Sequence, residues 1–189
     1  LDKPEDFKPK ADIYVDDMIE AACLELLRGM DLSKWDFDND GVVDRLLVLH
    51  SGRAQESGGG TDALWSHMSW LSEPLVIDDW NIEHYTVASL DSGIGTIVHE
   101  MLHQMGAYDL YDVHSDIPTS NWNGLGDWDI MASGNWNGGG DTPAMPGAAS
   151  LNQIGADRYT VLDISVDSEH SLESISDGGN GLKIPIAPG

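Results

Sequence analysis

Apolar residues along this 189-residue chain recur at two periods, and the switches between them mark out its elements. From Ile94 onward, Ile97, Val98, Met101, Leu102 and Met105 follow the spacing i, i+3, i+4, i+7, i+8 and i+11. That spacing predicts a helix whose apolar stripe faces a core. A second stripe, formed by Ile19, Ala22, Cys23, Leu26, Leu27 and Met30, predicts a helix over residues 14–28 with Gly29 capping its end. Residues 42–50 are rich in leucine and valine and read as a buried central strand. Residues 63–71 and 82–90 read as two further strands, the second following a turn at 78–81. Before all of these, residues 1–12 are polar, contain Pro4 and Pro9, and read as an extended arm.

Past Asp112 the periodicity vanishes for about forty residues, a length of loop that is usually functional or disordered. Asn121, Trp122, Asn123, Trp128, Asn135, Trp136 and Asn137 dominate it, and the tryptophans argue for order. A short helix over 148–155 follows, then strands over 159–166 and 181–186, the last without an obvious partner. Alternating helices and strands of this kind predict an α/β (α+β) fold. Residues 1–160 are expected to form one domain and 161–189 the start of a β-rich appendage.

Candidate chemistry lies on the helix near residue 100. His99, Glu100 and His103 form a His-Glu-x-x-His arrangement, and positions four apart share one helical face. Two imidazoles so placed can grip one metal ion with Glu100 beside it to handle protons. Gly106 can end the helix in the left-handed conformation and swing Asp109 back as a third, oxygen ligand. Three protein ligands with one open position describe a catalytic zinc site, whereas structural sites are closed by four. The register is that of the metzincins, with aspartate as third ligand. Asp112, also just past the turn, is the rival for that place.

Two further motifs add to this. Asp36, Asp38 and Asp40 alternate ahead of Gly41, as in the first half of an EF-hand-type calcium loop. The Val42 carbonyl and Asp44 could supply further oxygens, while Leu47 stands where such a loop carries its closing glutamate. Met131, on a tight turn beyond the third ligand, matches the Met-turn that floors a metzincin site without ligating the metal. The glycine-rich stretch 55–61 lacks the Gly-Lys-Ser/Thr ending of a phosphate loop, and His67 and His84 fall inside strands as structural histidines.

Charge then narrows the partners. Thirty-three acidic against nine basic residues give a formal charge of −24, which excludes nucleic acid and anionic membrane as partners. It suits a secreted calcium-binding protein or one adapted to salt. No apolar run is long enough to span a membrane. The first residues lack a signal peptide's features, so if the protein is exported, a signal and any pro-segment are expected to have been removed. Cys23, the single cysteine, is expected to be a buried thiol.

Taken together, Asp36 to Asp44, His50-Ser-Gly52, Leu64-Trp-Ser-His67, the zinc motif through Asp112 and Trp128-Asp-Ile-Met-Ala-Ser-Gly-Asn-Trp136 resemble the immune inhibitor A family of secreted bacterial metalloproteases. The resemblance covers about residues 12–160. It implies a metzincin-like zincin domain with a mixed twisted sheet, an active-site helix and a long loop carrying the Met-turn. It also implies a secreted zinc endopeptidase stabilised by calcium and made as a precursor with a pro-segment. Carried over, His99, His103 and Asp109 are the zinc ligands and Glu100 the general base that helps water attack a peptide bond. An extended peptide substrate would pair with the free edge of the strand that precedes the helix. Two other classes use the same residues: an acidic calcium-binding or adhesive module with a structural or vestigial zinc site, and a metallohydrolase of non-peptide amides.

Overall fold

The computed structural model describes residues 14–113 and 124–186, so the arm over 1–12 and Asn121, Trp122 and Asn123 lie outside it. The chain divides into two compact units, Leu1–Gln104 and Met105–Gly189.

In the first unit, α1 (Val15–Leu26) leads to β1 (Leu47–His50), β2 (His67–Ile77), β3 (Trp80–Ser89) and α2 (Gly93–Gln104). The three strands form a mixed sheet in the order β1-β3-β2, with β1 parallel and β2 antiparallel to β3. The strand expected to be central is therefore an edge. Residues 42–46 do not join β1, because Val42 makes only an isolated bridge to Asn81 and the chain around Asp44 is committed to closing the aspartate-rich loop. Leu49 is left exposed, and β3 takes the central place with Tyr85 to Ser89 all buried. Hydrophobic patterning alone could not separate the two, since both runs are apolar and only pairing on both sides makes a strand central.

Strand β2 starts later than expected, since residues 60–65 are turned back by bonds from Ala63 N–H to Gly60 O and from Gln55 N–H to Leu64 O. It also runs past Pro74. That proline sits where the register with β3 shifts, between Trp70 and Leu75, and an irregular edge strand can absorb a residue with no N–H. Asp78, at φ 54, begins the turn into β3.

Helix α1 buries Val15, Ile19 and Cys23 against a core built with Leu32, Val43, Leu71, Ile77, Ile82, Tyr85 and Val87. Of the expected stripe, Leu26 and Met30 stand exposed, because the helix ends at Leu26 and presents only a narrow line to the sheet. Gly29 does take a positive φ, of 76, but beyond the helix end, where its N–H donates to Asp78 Oδ2. Cys23 is buried, and burial pushes its thiol pKa up.

The second unit has little regular structure: α3 (Ala148–Gln153) and a two-stranded parallel sheet of β4 (Tyr159–Val161) and β5 (Gly181–Lys183). The strand expected to lack a partner thus pairs with the one expected over 159–166, which is shorter than its sequence pattern suggests. Apart from glycines, its buried residues among those described are Ala107, Ile130, Met131, Ala132 and Leu151 together with the polar Asp129, Asn135 and Ser150. Trp128 and Trp136 are exposed, so order around residue 130 comes from hydrogen bonds and the small buried residues.

Candidate metal centre

Helix α2 starts where a polar network fixes its first turn. Ser92 donates to Glu56 Oε1 at 2.8 Å and shares a bond with Ser66 Oγ, and both serines are buried. At the far end Gln104 binds the sheet: its Oε1 accepts from Leu46 N–H, and its Nε2 donates to Leu46 O and Thr86 Oγ1. Between these anchors the helix buries Gly95, Thr96, His99 and Leu102. Ile94 and Met105, the two ends of the expected apolar stripe, are exposed, so the buried line runs through His99 as much as through the apolar residues.

Four-residue spacing stacks His99 above His103, with ring centroids 4.8 Å apart, nearly perpendicular planes, and Nε2 atoms 3.2 Å apart. Gly106 ends the turn at φ 96, a value that L side chains reach only with strain. Donor atoms of His99, His103 and Asp109 all lie within 4.8 Å of one another. Asp112 is not in that group. Metal–donor bonds of about 2.0–2.1 Å at a tetrahedral angle separate donors by about 3.3 Å, close to the histidine spacing. Two nitrogens and a carboxylate oxygen are a donor set that zinc accepts, so these residues fit the ion.

Glu100 lies beside the donors, its Oε1 4.0 Å from His99 Nε2. Its Oε2 accepts from Met68 N–H at 2.9 Å. Met68 pairs with Thr86, whose own N–H donates to Leu46 O on the opposite side, so Met68 directs its N–H outward from the sheet. The strand that meets Glu100 is therefore β2, an edge of the sheet among the described residues. Strand β3, directly before the helix and expected to offer that edge, is paired on both sides.

In the second unit, the residues flanking Asp109 are held from two places. Tyr108 N–H donates to Gln153 Oε1 at 2.9 Å, and Leu110 N–H donates to Met131 O at 2.7 Å. Leu125 N–H donates to Leu110 O in turn. Met131 is fully buried on a tight turn in which Ala132 N–H donates to Asp129 O. Met68, Gln104 and Asp129 were not singled out in the sequence, and only Asp129, two residues ahead of a turn methionine, carried a local signal.

The aspartate-rich loop brings Asp36, Asp38 and Asp40 together, one carboxylate oxygen of each within 4.8 Å of the others. Asp36 is buried and accepts from Asp40 N–H and Gly41 N–H, which curls the loop around it. Desolvation, then the charges of Asp40, Asp44 and Asp36, raise the Asp38 pKa. Asp44 is not in that group of three; its carboxylate accepts from Phe37 N–H and lies 3.7 Å from Arg45. Val42 turns its N–H to Asp40 Oδ1. Of the two histidines taken as structural, His67 donates from Nδ1 to Trp65 O, and burial holds His84 below its ordinary pKa.

Comparison with known proteins gives matches to this same region. A sequence model for the immune inhibitor A peptidase M6 catalytic domain matches residues 33–154. Immune inhibitor A of Bacillus thuringiensis subsp. alesti is 31% identical over 134 residues, covering 56% of this chain and 19% of that protein. The pre-pro-metalloprotease PrtV of Vibrio cholerae serotype O1 is 31% identical over 114 residues, covering 50% of this chain and 12% of PrtV. The matched region thus spans less than a fifth of the length of either relative.

Proposed function

The chain belongs to the immune inhibitor A peptidase M6 family of metalloendopeptidases, and on that premise we propose that it is a metzincin-like zinc endopeptidase that cuts peptide bonds in proteins. The observation that carries this reading is the convergence of His99, His103 and Asp109 within 4.8 Å on the segment that also bears Glu100. These three side chains would hold the ion, with Met131 as an apolar floor. A zinc ion bound there would supply Lewis-acid polarisation of a carbonyl and a water acidic enough to ionise near neutrality.

Glu100 has a role of its own. Met68 N–H donates to Oε2 and so fixes the carboxylate, which would take a proton from the attacking water and pass it to the departing amine. The outer edge of β2, through the Met68 carbonyl and the backbone of Trp70, would pair with an extended peptide and set the scissile bond beside Glu100. Asp36, Asp38 and Asp40 would hold a stabilising calcium ion, with Val42 and Asp44 as candidate further oxygens, since three crowded carboxylates repel one another without a cation. Secretion, a removed pro-segment and a division into a catalytic domain over 1–160 and an appendage from 161 belong to the same reading. The name of PrtV, a pre-pro-protein, and the strongly acidic composition support the first two.

Hydrolysis of denatured casein by Glu100→Gln decides the matter. Zinc content should be unchanged while the rate falls about 10²–10⁴-fold. Full activity in that variant would overturn the assignment, as would zinc lost in Asp112→Ala but kept in Asp109→Ala.

A further inference from the structure

Asp129 is the most completely buried carboxylate among the described residues, at 1% exposure, and the chemistry above gives it no task. A buried carboxyl group is costly unless its oxygens are hydrogen-bonded, and here both are. Oδ1 accepts from Met131 N–H at 2.8 Å, Oδ2 accepts from Gly147 N–H at 2.8 Å, and the Ser150 hydroxyl reaches both oxygens, at 3.1 and 3.2 Å. One side chain therefore ties the turn carrying Met131 to the start of α3.

Both tied elements then hold the residues next to Asp109. Met131 O accepts from Leu110, one residue after it, and Gln153 at the end of α3 accepts from Tyr108, one residue before it. The backbone on either side of Asp109 is thus pinned by two elements whose relative place is set by Asp129. The packing leaves little slack. A Cβ added at Gly147 would come within 2.6 Å of Asp129 Oδ2, and one added at Gly134 within 2.5 Å of Asp129 O.

We propose that Asp129 is a positioning residue for the metal centre, holding the Asp109 carboxylate at its place through the Met131 turn and α3. The proposal rests on the reading of Asp109 as a zinc ligand. Partners that orient a ligand from behind typically contribute 10–100-fold to metal affinity, and Asp129 acts through two backbone clamps at once.

Zinc affinity of the chain, measured by competition with a chromophoric chelator, tests this in the wild type, Asp129→Asn and Ser150→Ala. The visible spectrum of each cobalt-substituted protein reports ligand geometry independently of activity. Asparagine keeps the shape but places an NH2 against one of two N–H donors. Asp129→Asn should bind zinc about 10–100-fold more weakly and shift the cobalt bands, with the apo protein's circular dichroism unchanged. Ser150→Ala, which spares both backbone bonds, should weaken binding only a few-fold. Wild-type zinc affinity and an unaltered cobalt spectrum in a folded Asp129→Asn protein would overturn the proposal. Should that variant not fold, Ser150→Ala decides: weaker binding supports the proposal, and unchanged binding overturns it. A wild-type chain that takes up no zinc would instead sink the reading beneath it.

Discussion

Replacing Gln104 with leucine tests how the metal-site helix is fastened to the sheet. Bonds are lost from Leu46 N–H at 3.2 Å, to Leu46 O at 2.9 Å and to Thr86 Oγ1 at 2.5 Å, besides the hydrogen bond with His84. They are not equal. Leu46 O keeps a bond from Thr86 N–H at 2.8 Å, and Thr86 Oγ1 still donates to Glu100 O at 3.3 Å. Among the Leu46 and Thr86 groups, only Leu46 N–H is stranded. A stranded donor costs about 1–3 kcal/mol, and each compensated bond contributes less than about 1 kcal/mol. The leucine side chain recovers part of this by burying apolar surface, which leaves a net loss of about 2–3 kcal/mol. In a chain of this size each kcal/mol moves Tm by about 2–4 °C, so a fall of about 4–12 °C is expected. Thermal unfolding of the apo protein followed by circular dichroism measures it. A fall of less than about 2 °C would refute the reasoning, because Leu46 N–H would then have found another partner at little cost.

Calcium should raise the Tm of the wild type, by the equivalent of about 2.7 kcal/mol at a hundred times Kd, and leave Asp36→Ala unmoved; an equal rise in both would remove the ion from this loop. Burial depresses the folded-state pKa of His84 from its ordinary 6.5, so below that value the unfolded chain binds the extra proton and stability falls as the pH drops. Apo His84→Gln should therefore lose less Tm than the wild type between pH 7.5 and 5.5, and identical slopes would show that His84 does not carry the effect.

Local spacing made much of the candidate site legible. His99 and His103 share a face because any helix of L residues repeats every 3.6 positions, and Gly106 was readable as the bend because it tolerates a positive φ. Asp36, Asp38 and Asp40 converge for a similar reason, since the turn that gathers them is made by neighbouring residues. Sequence alone thus determined which kind of element forms in each stretch and which neighbours a tight turn gathers. What needed the folded chain was every relation between residues far apart. Strand β3 is central and β1 marginal because of hydrogen bonds made across the sheet, and two equally apolar segments give no sign of which will be paired twice. Met68 faces Glu100 because of its register with Thr86, and Gln104 reaches Leu46 across 58 positions. Asp129 stands beside a turn methionine in the sequence, but only the folded chain closes Gly147 and Ser150 around it. Periodicity is a property of a few consecutive bonds, whereas burial and pairing depend on which distant segment arrives, and only the tertiary fold decides that.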